Sequence, residues 1–108
     1  MEAQPRDIQR YINPEGKVPF DEWFLGLRDN KLKSIINKRL DRIGTGNLGN
    51  YRSVGEGVCE FKIDFGSGYR IYFGQVGTAI VLLLCGGDKS TQDRDILEAI
   101  EYWNDYSK

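Results

Sequence analysis

The residues with most to offer chemistry are cationic and fall in two short runs. Cys59-Glu60-Phe61-Lys62-Ile63-Asp64-Phe65-Gly66-Ser67-Gly68-Tyr69-Arg70-Ile71-Tyr72-Phe73 carries Lys62 and Arg70, and Gly86-Gly87-Asp88-Lys89-Ser90 carries Lys89. Period-two alternation places Lys62 and Arg70 off the core face of two adjacent hairpin strands, near each other across the pair. Two bare cations there repel unless they share an anion or pair with Glu60 and Asp64. Arg52, from a neighbouring strand, can join them. An exposed mixed-charge sheet face is the other reading of this pattern. A glycine pair between strand and helix lets backbone N–H groups converge on an anion, with Lys89 beside them. A tight strand-to-helix turn capped by Ser90 would look the same, and the spacing of a P-loop is absent. Tyr72 shares the Arg70 face and could stack on a base, as could Tyr51. Arg94, with Gln92 and Asp93, opens the last helix beside Lys89, as one edge of a site or as plain surface.

The chain contains no His. This excludes Ser-His-Asp triads, His-pair ribonuclease chemistry and most catalytic zinc sites. Cys59 and Cys85 sit in apolar runs with no metal-ligand spacing and read as buried thiols. No metal site and no cofactor is expected. The net charge of −1 over 108 residues hides an asymmetry. Arg28 to Arg42 holds six basic and two acidic residues, while Asp88 to Lys108 holds six acidic and three basic. Lys38, Arg39 and Arg42 could therefore follow a phosphate backbone, or form a solvated helix face. The N-terminus lacks the pattern of a signal peptide, and the longest apolar run, Ala79 to Cys85, is too short to span a bilayer. A cytoplasmic protein without a membrane partner is expected.

The length implies one domain, residues 1–108. A strand is expected over Arg6–Asn13, then a turn at Asn13-Pro14-Glu15-Gly16. Phe20, Trp23, Phe24 and Leu27 mark one face of a helix from Pro19 to Asp29. Leu32, Ile35, Ile36, Leu40 and Ile43 mark a second helix from Asn30 to Ile43. A short strand over Tyr51–Val54 precedes three more, and Ala79–Cys85 reads as a central strand covered on both faces. Ser90 or Thr91 caps the last helix, whose packing face is Ile96, Ile100 and Trp103 with Leu97 alongside. The expected architecture is α+β, in the order β-α-α-β-β-β-β-α. It is an antiparallel sheet with an N-terminal helical hairpin and a C-terminal helix.

The Cys59–Phe73 run resembles the central hairpin of the RelE/ParE toxin superfamily. Leu82-Leu83-Leu84-Cys85-Gly86-Gly87-Asp88-Lys89-Ser90-Thr91-Gln92 resembles the hallmark of its HigB-like, phage-derived "addiction module killer protein" branch. Phe20-Asp21-Glu22-Trp23-Phe24 and Leu48-Gly49-Asn50-Tyr51-Arg52 are similar to that branch as well. The resemblance covers essentially the whole chain. It implies a small RelE-like fold and the toxin of a type II toxin–antitoxin pair.

In the ribonuclease members, basic residues on the central strands and near the last helix surround the scissile phosphate of mRNA in the ribosome. Lys62, Arg70 and Lys89 match such positions, and Glu60 stands where a further strand lysine is expected. Arg52, Tyr72, Lys38, Arg39, Arg42 and Arg94 are then candidates for RNA contact. The reaction implied is metal-free cleavage leaving a 2′,3′-cyclic phosphate. Without His, its base would be Glu60 or a lysine. Partners implied are the ribosome, mRNA and a helix-turn-helix antitoxin. Two alternatives remain: a ParE-like inhibitor of DNA gyrase without chemistry of its own, and a degenerate relative that only binds a partner.

Overall fold

The computed structural model describes residues 4–108. Its elements are β1 (Asp7–Arg10), α1 (Pro19–Gly26), α2 (Asn30–Gly44), β2 (Arg52–Gly55), β3 (Val58–Ile63), β4 (Tyr69–Val76) and β5 (Ile80–Asp88). A 3₁₀ turn (Lys89–Thr91) and α3 (Gln92–Tyr106) complete the chain. The α+β class and the order of elements are as expected. The sheet, however, is mixed rather than antiparallel. Its strand order is β1-β5-β4-β3-β2, and β1 runs parallel to β5 with Asp7 opposite Ile80. Pairing between segments so distant in sequence leaves no local signature. β1 is also shorter than expected, because the Asn13 side chain accepts from the N–H groups of Glu15 and Lys17 and turns the chain.

Two cores sandwich the sheet. On one side Phe61, Ile63, Ile71, Phe73, Val81 and Leu83 meet Phe20 of α1 and Leu32, Ile36, Leu40 and Ile43 of α2. The α2 residues recur at the spacing that keeps one helical face inward. Asp29 starts that helix by accepting from the N–H groups of Lys31 and Leu32. On the other side Val58, Tyr72, Leu82, Leu84, Cys85 and Tyr11 meet Ala99 of α3, with Ile96, Ile100 and Trp103 packed around them. Leu97 is 69% exposed, so it leaves the expected packing face, and Ala99 is the residue that lets α3 approach.

A β-bulge sets the geometry near the site. Tyr72 lies opposite Cys85 but Phe73 lies opposite Leu83, so Leu84 is the extra residue. Leu84 and Cys85 therefore both face α3. The bulge also reverses which side each following residue meets. Gly86 faces Trp23 of α1 and Gly87 faces Asp95 of α3, each so closely that a Cβ would overlap its neighbour. The expected anion-cradling loop is thus strand: Gly86, Gly87 and Asp88 belong to β5. The glycines serve packing, by leaving space for an indole on one face and a carboxylate on the other.

Candidate functional site

Strand register brings the predicted cations together. Lys62 of β3 lies directly opposite Arg70 of β4, and Arg70 lies opposite Gly87 of β5. Lys89 follows in the 3₁₀ turn, held by the Asp88 side chain, which accepts from the Ser90 N–H and hydroxyl. Those bonds hold the Asp88 carboxyl below its ordinary value. Asp88 caps this turn, and Thr91, one of the two residues expected to cap the last helix, holds the N-cap position of α3 without a side-chain bond to its backbone, its hydroxyl donating to Asp95 instead. Lys62, Arg70 and Lys89 line one open groove of about 370 Å³, together with the hairpin turn from Asp64 to Tyr69. The groove continues past Lys89 along Ser90, Gln92 and Arg94. Around the other side of Lys62 it adjoins a second recess, of about 340 Å³, that includes Tyr51, Arg52 and Asp64.

Arg70 is unusual for a cation: its side chain is only 9% exposed. Its partner is Glu60, which is 1% exposed. One Glu60 oxygen accepts from Arg52 Nε at 2.8 Å and lies 3.8 Å from Arg70 Nε. The other accepts from Gln92 Nε2 at 3.0 Å. Glu60 therefore ties β2, β4 and the start of α3 together. The hydrogen bond to Glu60 holds the Arg52 guanidinium above its ordinary value. Among the described residues, Arg70 Nε and Nη1 have no hydrogen-bond partner, although both are buried. A buried donor without an acceptor is costly, so the Glu60 carboxylate, 3.8 Å from Nε, is the nearby charge that offsets the burial of this guanidinium.

Asp95 lies beneath this layer. It is 4% exposed, accepts from the Thr91 hydroxyl at 2.6 Å and occupies the space above Gly87. No motif marked it. The signal available was Gly87 itself, a side-chain-free spot facing an acidic first helical turn.

Two expectations are corrected here. Tyr72 is fully buried between the sheet and α3, so it cannot stack on a base. Burial, then the nearby Glu60 and Asp95 carboxylates, push its phenol well above the ordinary value. Glu60 is a buried structural anion with both oxygens engaged, which is poor placement for a general base. The α2 basics split. Arg39 donates to the Leu48 and Asn50 carbonyls and lies over the Phe61 ring at 4.9 Å, so it fastens the loop before β2. Burial and then Arg42 lower its guanidinium from its ordinary value. Lys38 and Arg42 are exposed on the same helix. Arg94 is exposed, 3.7 Å from an Asp95 oxygen. Among the described residues no three Cys, Asp or Glu side chains gather as a metal-binding group. No helix among them is long and apolar enough to cross a membrane.

No family model matches this sequence, and no solved structure matches it. An uncharacterized protein of Haemophilus influenzae is 48% identical over 82 residues, which cover 76% of this chain and 83% of that protein. At that identity and coverage, the chain belongs to one family with this uncharacterized H. influenzae protein.

Proposed function

We propose that the protein is the toxin of a type II toxin–antitoxin pair, of the HigB-like branch of the RelE/ParE superfamily, and cuts mRNA on the ribosome. The observation that carries this reading is the groove in which β3, β4 and the turn before α3 each deliver one cation, Lys62, Arg70 and Lys89. Arg70, whose side chain is almost entirely buried, forms part of its lining. Such a groove suits a phosphodiester, whose charge grows as a pentacoordinate phosphorane forms. Arg70 stabilises that charge with a planar, permanently charged fork, and Lys62 and Lys89 bind the flanking oxygens.

The ribose 2′-oxygen attacks the adjacent phosphorus as the bond to the 5′-oxygen breaks, leaving a 2′,3′-cyclic phosphate and a 5′-hydroxyl. The 2′-hydroxyl proton passes to a groove residue with a free lone pair, and the 5′-oxygen takes a proton from a groove acid. With Glu60 engaged, Asp64 and the two lysines are the residues placed for these transfers. A helix-turn-helix antitoxin would cover the groove, and the ribosome would position the message. The test is induced expression in bacteria. Growth arrest with loss of intact mRNA is expected, and Arg70→Ala or Lys89→Ala should relieve both. Arrest with whole mRNA and gyrase-linked DNA breaks would establish the gyrase-inhibitor reading instead.

A further inference from the structure

Arg70 is buried in the groove, whereas Lys89 is exposed on a turn of three residues. Its long side chain has rotamer freedom to lose on meeting an anion, so the backbone beneath it decides how far it must reach. Two anchors hold that backbone. Upstream, Asp88 ends the pairing of β5, opposite Tyr69 of β4. Downstream, the anchor is Gln92, the first residue of α3, which lines one recess with Lys89. Its Nε2 donates to a Glu60 oxygen at 3.0 Å and so fastens the start of α3 to β3. Among the described residues one other hydrogen bond joins the first turn of α3 to the sheet. The Cys85 thiol, a weak donor, reaches the Asp95 carbonyl at 3.7 Å. That bond returns to β5, the strand Lys89 already follows, as does the packing of Asp95 over Gly87. In this first turn Gln92 is the side chain whose hydrogen bond reaches β3. The carboxylate it meets also faces Arg70 at 3.8 Å, so Glu60 refers Arg70 and the Lys89 turn to one point. A glutamine suits this task. Its neutral amide holds Glu60 without competing for the charge that the buried Arg70 needs.

We infer that Gln92 is a positioning residue: through Glu60 it sets the turn that carries Lys89 against Arg70, so that both cations meet one phosphate. The inference rests on the RNA-cleavage reading for its ligand, but its test needs no cleavage. The probe is a short 2′-O-methyl oligoribonucleotide, whose blocked 2′-oxygen cannot attack. Its affinity for the full chain is measured over a series of salt concentrations. The logarithm of the binding constant falls with the logarithm of salt, by about 0.7 for each phosphate contact to a single strand. Lys89→Ala should make that slope shallower by about 0.7. Gln92→Met exchanges one uncharged side chain for another of similar length and removes the bond to Glu60. It should make the slope shallower by the same amount, because Lys89 no longer engages its phosphate. The double variant should match Lys89→Ala in slope and in affinity. A direct contact from Gln92 to RNA, or a purely structural role, would leave the slope as in wild type.

The inference is overturned if Gln92→Met keeps the wild-type slope, or if its loss of affinity adds in full to that of Lys89→Ala. Gln92→Ala gives a second variant with the same expected slope, and a cooperative melt above the binding temperature shows that each is folded. If neither folds, the role of Gln92 is structural and the inference is overturned as well. Wild type that does not bind the probe, or Lys89→Ala with the wild-type slope, overturns the inference together with the phosphate groove. Failure of the cleavage reading would show separately, as intact mRNA in expressing cells with the slopes as expected.

Discussion

Removing the Glu60 carboxylate tests the buried ionic layer directly. Glu60 is 1% exposed and faces Arg70, whose side chain is 9% exposed. Glu60→Ala strands that guanidinium in the interior, and breaking a buried pair from one side costs about 3–5 kcal/mol. The 3.8 Å separation from Arg70 is beyond hydrogen-bond range, which favours the lower end. Arg52 is 60% exposed, so water takes over its half of the interaction. A loss of about 3 kcal/mol lowers the melting temperature of a domain this size by roughly 12–24 °C.

The reverse change is expected to cost less. Arg70→Met leaves Glu60 still bonded to Arg52 and Gln92. The double variant Glu60→Leu with Arg70→Met removes both charges and should recover much of the loss, with a coupling of about 1–3 kcal/mol. Urea unfolding of the four proteins closes the cycle. Single effects that add to within about 0.5 kcal/mol would refute the pairing, and a harmless Glu60→Ala would refute the burial argument behind it.

Three further outcomes follow from the packing, the turns and the titration of Tyr11. Gly87→Ala forces a methyl into the Asp95 carboxylate and should cost about 1–3 kcal/mol, read by urea unfolding. Glu56 holds a φ of +55° beside Gly57 in the turn between β2 and β3, so Glu56→Asn should stabilise by up to about 1 kcal/mol in the same assay. Burial, then its hydrogen bond to Asp105, pushes the Tyr11 phenol up to about 12. The unfolded chain loses that proton near pH 10 and the fold keeps it, so this contribution is complete below about pH 10 and declines from there to about 12. Urea midpoints across that window should fall less steeply in Tyr11→Phe than in wild type.

Much of this arrangement could be read along the chain, and what could not has physical causes. The alternation through Phe61 and Ile63 gives β3, and the stripe from Leu32 to Ile43 gives α2. The facing of Lys62 and Arg70 follows from that alternation and a short turn. The second core was hidden by polarity. Glu60, Arg70 and Tyr72 look like residues of a wet face, and only α3 folding over them makes them interior. Gly86 and Gly87 read as loop because glycine favours turns, whereas here Trp23 and Asp95 supply the bulk that the glycines lack. The bulge at Leu84 cannot be seen in an unbroken apolar run. Without it the alternation places Leu84 correctly but puts Cys85 on the wrong side. The bond from Gln92 to Glu60 joins a helix to a distant strand, a pairing that neither segment shows alone.

The central claim is that the Lys62–Arg70–Lys89 groove cleaves RNA held by the ribosome. Its most direct test is a reconstituted translation reaction with purified protein, in which the ends of the stalled message are mapped and their chemistry identified. The account predicts cuts within the codon being read, a 2′,3′-cyclic phosphate on the upstream fragment, and loss of both with Arg70→Ala. Uncut message, or cleavage by Arg70→Ala at the wild-type rate, would contradict it.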